Sequence, residues 1–130
     1  MALVVLDASV IIAFRDPADA LHARAVTAFR AHVSDAFVLP ASVYAEVLIG
    51  PMRHGPQEVA SLEQFIADFA MQIIPLTPDI ARHAASLRAR TPSLRLPDAF
   101  VLATGDSLGV GSVLTGDAAW LKFSPRAVLI

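Results

Sequence analysis

The sequence predicts an α/β sandwich, in which a mostly parallel β-sheet is covered by helices on both faces. Short apolar segments alternate with longer segments whose apolar residues recur at helical spacing, which is the order expected of βαβ units. More than half of the 130 residues are apolar, enough for one packed core. Because no internal repeat, low-complexity tract or linker interrupts this pattern, we expect a single domain over residues 1–130.

The first half of the chain opens with a strand. Residues 2–6 form a continuous apolar run that ends at Asp7, which is typical of a strand buried on both faces. Residues 19–32 carry apolar side chains at helical spacing, and residues 36–39 predict a second strand that a proline ends. A helix is expected over residues 41–52, since a proline near a helix start costs no hydrogen bond.

The later elements follow from the same patterns. Residues 56–70 carry a clear apolar stripe and predict an amphipathic helix. In chain order, the remaining predictions are a strand at 71–76, a helix at 78–90, a loop at 91–97, a helix at 98–108, a strand at 112–115, a helical turn at 118–123 and a last strand at 127–130. The loop contains two prolines, and Gly109 closes the helix that follows it.

Composition excludes several classes of site. The chain has no cysteine, so disulfides, thiolate zinc sites and cysteine nucleophiles are all ruled out, which fits a reducing cytosol. No uncharged apolar run approaches the roughly 20 residues that span a bilayer, and the apolar start lacks the basic segment of a signal peptide. We therefore expect a cytoplasmic protein with no membrane partner.

The charge is unevenly distributed along the chain. A net charge of −2 is unusual for a nucleic-acid binder. Residues 82–95, however, contain five basic residues and no acidic one: Arg82, His83, Arg88, Arg90 and Arg95. This stretch is either a solvated helix face or a surface that binds phosphates, for which arginine is well suited.

Three aspartates lie where an open parallel sheet places functional groups, at the carboxyl ends of strands or at the start of a helix. Asp7 ends the first strand, Asp117 follows the strand at 112–115, and Asp98 opens a helix. Each of them, taken alone, has the simpler interpretation of a helix N-cap, where a short carboxylate accepts backbone N–H bonds.

Glu46 does not fit the capping interpretation. It lies in the middle of a helix that is apolar on nearly every side, so we expect its side chain to be buried. A buried, unpaired carboxylate is costly, and the sequence offers no nearby basic partner before Arg53. A metal ion would resolve the cost. Carboxylates without cysteine or histidine favour Mg²⁺ or Mn²⁺, and such ions suit the hydrolysis of phosphodiesters.

Four short segments together resemble the motifs of PIN domains, and in particular those of the VapC toxins of bacterial toxin–antitoxin pairs. They are Val5-Leu6-Asp7-Ala8-Ser9, Ala45-Glu46-Val47, Leu96-Pro97-Asp98-Ala99-Phe100 and Leu114-Thr115-Gly116-Asp117. Their order and spacing match across essentially the whole chain. One such motif is weak evidence, whereas the four in this order and in an α/β context are quite specific.

The resemblance implies a PIN-like three-layer sandwich and an Mg²⁺- or Mn²⁺-dependent endoribonuclease. Asp7 and Asp98 would be the principal metal ligands, with Glu46 and Asp117 directly on the ion or just behind the ligands. Two hydroxyl residues, Ser9 and Thr115, would orient the first and last acids by hydrogen bonds.

The resemblance also implies partners. The family cleaves RNA at selected sites, tRNA or rRNA being the expected substrates, and usually does so as a homodimer. A cognate VapB-type antitoxin would block the site, and operator DNA would be bound only through the antitoxin. No motif identifies an RNA-contacting cation. From their positions beside the first and third motifs, Arg15 and Arg95 are the candidates.

Two other functions remain open. An Asp-dependent phosphatase or phosphoryl-transfer domain also has an aspartate after a first strand, but the phosphatase pattern requires a second aspartate where this chain has Ser9. The phosphatase and the phosphoryl-transfer domain both also need a lysine late in the chain, and the sole lysine, Lys122, follows Asp117 in a turn. A non-catalytic binding module on the PIN fold is the other alternative, although such a protein would be expected to have lost at least one of the four acids.

Overall fold

A single five-stranded sheet organises the protein in the computed structural model, which describes residues 1–130. The strands are β1 (Leu3–Leu6), β2 (Ala36–Pro40), β3 (Gln72–Ile74), β4 (Ser112–Thr115) and β5 (Ala127–Leu129). Their spatial order is β3-β2-β1-β4-β5, and every neighbouring pair is parallel. The predicted α/β sandwich is confirmed, with a sheet that is parallel throughout.

Six α-helices flank the sheet. They are α1 (Ala8–Arg15), α2 (His22–Ala31), α3 (Ala41–His54), α4 (Pro56–Asp68), α5 (Pro78–Arg90) and α6 (Leu96–Leu108), and a short 3₁₀ helix (Ala118–Lys122) follows β4. Crossovers between parallel strands are right-handed. The crossovers from β1 to β2 and from β2 to β3 both run toward the β3 edge of the sheet, so their helices, α1–α4, cover one face. The crossover from β3 to β4 runs in the opposite direction, toward the β5 edge, so its helices, α5 and α6, cover the other face.

The central strands form the core. Val4, Val5 and Leu6 of β1 are almost completely buried, as expected of a strand covered on both faces. Beside them, five phenylalanines from α1, α2, β2, α4 and the residue that caps α4 pack with ring centroids 4.2–6.3 Å apart. They are Phe14, Phe29, Phe37, Phe65 and Phe69. Trp120 is also fully buried, so its indole ring is part of the core.

Several helix bounds differ from the predicted ones. The helix predicted at 19–32 is shorter, His22–Ala31, and the helix predicted at 56–70 ends at Asp68. The helix predicted at 98–108 begins at Leu96, since Pro97 falls in its first turn, where the missing N–H has no partner to lose. The helix predicted at 41–52 extends to His54 and is capped by Gly55, whose φ of 125° suits only glycine. None of the helices is both long and apolar enough to cross a membrane.

The strand order places a topological switch point between β1 and β4. From β1 the chain proceeds outward to β2 and β3, and then returns to the other side of β1 to form β4. In open parallel sheets, ligands bind in the crevice at the carboxyl ends of the strands on either side of such a point. Residues that directly follow β1 and β4 are therefore the first candidates for a functional site.

Candidate active site

Asp7 lies at this switch point and is held by three hydrogen bonds. Its Oδ1 accepts the backbone N–H of Ala8 at 2.8 Å, which makes Asp7 the N-cap of α1. Its Oδ2 accepts the hydroxyls of Ser9 at 2.8 Å and Thr115 at 3.0 Å. Its backbone N–H donates to the carbonyl of Leu114 at 2.9 Å, continuing the ladder between β1 and β4. The carboxylate is thus fixed relative to the sheet.

The same two hydroxyls join the end of β4 to the start of α1. Ser9 Oγ accepts the N–H of Gly116 at 3.0 Å, and Thr115 Oγ1 accepts the N–H of Asp117 at 3.1 Å. A side chain at Gly116 would crowd its neighbours, because an added Cβ would lie 2.7 Å from Leu21 Cδ1, which would have to shift, and 3.3 Å from Ser9 Oγ. Sequence reasoning did not assign a role to this glycine, although its place inside the fourth motif was the available signal.

Both hydroxyls therefore act on Asp7. Ser9 donates to the first acid of the site, and so does Thr115, a residue that is fully buried. Thr115 contacts the last acid, Asp117, only through its backbone N–H and not through its carboxylate. The structure thus places the two hydroxyl side chains around one carboxylate.

Burial and neighbouring charge both act on the acids. Burial raises the pKa of Asp7, hydrogen bonds from Ser9, Thr115 and Ala8 lower it in part, and the negative charge of Asp98 raises it further. Partial burial also raises the pKa of Glu46, and the negative charges of Asp7 and Asp98 raise it further. These mutual effects place three of the four predicted acids, Asp7, Glu46 and Asp98, within electrostatic range of one another.

Asp98 is not a helix cap. It lies in the first turn of α6, where the cap position is occupied by Arg95 and no side chain accepts a backbone N–H. Its side chain is 17% exposed, and its Oδ2 lies 3.4 Å from Arg95 Nε. The capping interpretation thus applies to Asp7 and to Asp117, which caps the 3₁₀ helix, but not to Asp98.

The prediction that Glu46 is buried is wrong. Val43 and Val47 of the same helix are in the core, whereas Glu46 is exposed and has no hydrogen-bond or ion-pair partner. The apolar composition of α3 misled the prediction, because Ile49 on this helix is itself half exposed. Sequence reasoning also missed a nearby cation: the charge of Arg95, which comes from the start of α6, lowers the pKa of Glu46.

Asp117 stands apart from the other acids. It is exposed, its Oδ1 accepts the N–H of Ala119 at 2.9 Å, and its charge is not among the causes of the pKa changes at Asp7 or Glu46. No group of three or more acidic or histidine side chains has its ligand atoms gathered tightly enough to hold one ion. Asp7, Glu46 and Asp98 lie within electrostatic range of one another, but their oxygens do not form a preformed ion cage.

The donor set nevertheless suits a hard divalent cation. The acidic side chains at the switch point offer carboxylate oxygens, which Mg²⁺ and Mn²⁺ prefer. The ionised forms of Asp7 and Glu46 are disfavoured by burial and by like charge, and a cation would offset both effects. Since Mg²⁺ commonly takes one or two carboxylates and completes its shell with water and phosphate, a preformed cage of protein ligands is not required.

The two candidate RNA-contacting arginines have different positions. Arg95 is 77% exposed and lies beside Asp98, within the site. Arg15 is at the far end of α1 from Asp7, about 12 Å away along the helix. Its guanidinium donates to Ser61 at 3.1 Å and lies 5.6 Å from the centre of the Phe65 ring, so α4 already engages it.

Comparisons with known proteins agree with this architecture. The family model described as the PIN domain matches residues 4–124. No curated protein sequence matches the chain. Among solved structures, a toxin–antitoxin complex from Klebsiella pneumoniae superposes with a TM-score of 0.77 at 22% identity, over 96% of this chain and 95% of that one.

Two further structures extend the comparison. VapBC2 from Rickettsia felis, bound to a DNA fragment from its promoter, gives a TM-score of 0.74 at 13% identity, over 98% of this chain and 97% of that one. VapC20 from Mycobacterium tuberculosis, a toxin that cleaves the sarcin–ricin loop, gives 0.73 at 18% identity, over 93% and 96%. At these identities the three structures establish the fold.

Proposed function

Because the chain belongs to the PIN-domain family, we propose that it is a metal-dependent endoribonuclease and the toxin of a type II toxin–antitoxin pair, acting as a single PIN domain over residues 1–130. The observation that carries the proposal is the cluster of Asp7, Glu46 and Asp98 at the switch point of the sheet, with Asp7 held by two hydroxyls. A cluster of like charges is costly for a protein that does not use it.

The residues of the site have distinct tasks in this proposal. Asp7 and Asp98 would be the principal ligands of Mg²⁺ or Mn²⁺, and Glu46 and Asp117 would act directly on the ion or from just behind the ligands. Ser9 and Thr115 keep Asp7 in one orientation. The bound ion would polarise the scissile phosphate and lower the pKa of the attacking water. Arg95 is positioned to contact a phosphate that approaches Asp98.

The phosphatase alternative finds little support at the site. Ser9, which takes the place of the second aspartate, donates its hydroxyl to Asp7 and does not present an acid to a substrate. Lys122 is exposed on the 3₁₀ helix and makes no ion pair with Asp7. The non-catalytic binding module is distinguished only by experiment, since the same fold would serve it.

Partners of two kinds are part of the proposal. The RNA substrate would be tRNA or rRNA, in keeping with the sarcin–ricin loop that VapC20 of Mycobacterium tuberculosis cleaves. A VapB-type antitoxin would cover the toxin, and operator DNA would be bound through the antitoxin alone. A homodimer and a cytoplasmic location complete the assignment. Three large apolar side chains of α1 and α3 are 47–64% exposed: Ile12, Ile49 and Met52. They offer apolar surface that a protein partner could bury.

The decisive experiment is cleavage of a pool of bacterial tRNA and rRNA by the purified chain. The reaction is run with Mg²⁺, with Mn²⁺ and with EDTA, and is repeated with Asp7→Asn. Asp79→Asn is the matched control. Asp79 is an exposed acid in the first turn of α5, whereas Asp98 lies in α6, beyond the other end of α5.

We expect metal-dependent fragments from the wild type and from Asp79→Asn, and none from Asp7→Asn. Sequencing the fragment ends would identify the target. If a folded wild-type chain whose melting temperature rises with Mn²⁺ cuts none of these RNAs, the nuclease proposal is contradicted and the binding module is favoured.

A further inference from the structure

The basic stretch found in the sequence occupies a defined place in the fold. Between Asp79 and Asp98 the chain has no acidic residue, and it carries four arginines and a histidine in that interval. These residues lie on α5 and on the connection to α6. The overall net charge of −2 therefore conceals one locally cationic surface.

The pairing of α5 with α6 shows where this surface lies. His83, in the first half of α5, has its Nε2 2.8 Å from Asp106 Oδ2, in the last turn of α6. Only five residues join the two helices, so they run antiparallel. The last turn of α5, with Arg88 and Arg90, therefore lies at the same end of the helix pair as Asp98. The cationic turn is adjacent to the acid cluster.

The cations of this turn have no acidic partners. Arg88 and Arg90 are exposed and make no ion pair, and Arg90 Nε donates only to the carbonyl of Ser86 on its own helix at 3.3 Å. Arg95, five residues further on, pairs with Asp98 alone and remains 77% exposed. Three guanidinium groups are thus available to a ligand beside the carboxylates.

A cation in the last helical turn also stabilises the helix dipole, and that alone would explain one such residue. It does not explain why acids are absent from the following loop, or why Arg95 stands next to Asp98. A phosphodiester strand is repelled by three neighbouring carboxylates, and cations beside them reduce that repulsion. The placement therefore suits an anionic polymer that must approach the acid cluster.

We propose that Arg88, Arg90 and Arg95 form the surface that binds the RNA backbone next to the cleavage site. This inference rests on the proposed function and specifies the path of its substrate: the scissile phosphate lies at Asp7 and Asp98, and the phosphates next along the strand lie on the last turn of α5. Contacts of this kind carry no sequence information, so they contribute affinity and position but not target choice.

The test is the salt dependence of RNA binding. Binding of an unstructured, single-stranded RNA is measured in EDTA, where metal-dependent cleavage does not occur, between about 50 and 200 mM salt. The variant is Arg88→Gln/Arg90→Gln. The matched control is Arg30→Gln, which removes an exposed arginine from the last turn of α2, just before β2 and so at the amino edge of the sheet.

Each phosphate contact to a single strand contributes about 0.7 to the slope of log K against log[salt]. We expect the double variant to lower that slope by about 1.4 and to bind about tenfold or more weakly at the lowest salt, equally for RNAs of different sequence. Arg30→Gln should keep the wild-type slope. A double variant whose slope equals that of the wild type would overturn the inference.

Other outcomes separate this inference from the proposed function. If the wild type cuts RNA with Mg²⁺ but the double variant keeps the wild-type slope, the nuclease proposal stands and the binding surface is wrong. If the wild type neither binds nor cuts RNA, both fail. If the double variant binds RNA normally but no longer binds a co-expressed acidic protein partner, the surface belongs to that partner and not to RNA.

Discussion

Replacing Thr115 by valine tests whether the site is built around Asp7. The side chain of Thr115 is fully buried, donates to Asp7 Oδ2 at 3.0 Å and accepts the N–H of Asp117 at 3.1 Å. Valine has nearly the same shape, so the core keeps its packing while both hydrogen bonds are lost. The substitution therefore measures the support that the hydroxyl gives to the carboxylate.

The expected loss depends on the charge of Asp7. A hydrogen bond to an ionised group contributes about 1.5–3 kcal/mol, and one between neutral groups about 0.5–1.5 kcal/mol. We expect Thr115→Val to lower the free energy of unfolding by about 2–3 kcal/mol near neutral pH. The N–H of Asp117 adds little to this loss, because Asp117 is exposed and water can replace the missing acceptor.

The pH dependence follows from the pKa of Asp7. Burial raises this pKa above 3.8, and the hydrogen bond from Thr115 lowers it in part, so the valine variant raises it further. Well below pH 3.8 the carboxyl is neutral in the folded and the unfolded chain, and the loss falls to about 1 kcal/mol. As the pH rises through the folded-state pKa, the ionised carboxylate lacks one donor and the loss grows.

Thr104→Val is the matched control. Thr104 is also buried, but its hydroxyl donates to the backbone carbonyl of Phe100 at 2.7 Å and touches no charge. Urea unfolding at both pH values should give a loss of about 1 kcal/mol for this variant, independent of pH. The reasoning is refuted if Thr115→Val shows the same loss at both pH values, or if Thr104→Val shows the larger pH dependence.

Three further predictions concern the site. Mg²⁺ or Mn²⁺ should stabilise the wild type, by about 2.7 kcal/mol at 100 times Kd, and a thermal melt should show this rise absent in Asp7→Asn and unaffected by NaCl of equal ionic strength. Glu46→Gln should raise the melting temperature at pH 7 and leave it unchanged well below pH 4.5. The raised pKa of Glu46 means that its ionised side chain destabilises the fold. A lower melting temperature of the variant at pH 7 would contradict this. Gly116→Ala should shift Leu21 and crowd Ser9, reduce cleavage and cost about 1–2 kcal/mol of stability. The control Gly111→Ala, whose new Cβ would meet nothing closer than 3.8 Å, should leave cleavage and stability near wild type.

The sequence predicted what depends on pattern. The bounds of α5 and β4 agree with prediction to the residue, because apolar spacing and flanking prolines or glycines mark their ends. The placement of Asp7 and Thr115 at strand ends followed from the same pattern, since parallel strands bring their carboxyl ends to one edge. The order of the strands needed the structure, because it depends on contacts between residues far apart in the chain.

Side-chain direction and distant partners were not predictable in this way. Glu46 lies on an apolar helix but faces solvent, since composition does not say which side of the helix the sheet covers. Two histidine–carboxylate contacts were also not predicted from the sequence. His32 lies 2.8 Å from Asp35, and His83 is equally close to Asp106, which is 23 residues away in the sequence.

The hydrogen bonds of Asp7 reconcile its two interpretations, helix cap and metal ligand. An ionised carboxylate offers about four acceptor positions, and three are used by the Ala8 N–H and the hydroxyls of Ser9 and Thr115. One acceptor position remains, so Asp7 can bind an ion through one oxygen lone pair and still cap α1. Asp98 has one polar partner and Glu46 has none. The oxygens of the three acids are not gathered tightly enough to hold an ion by themselves. Most coordination positions of a bound ion would therefore be left to water and to the phosphate that is cleaved.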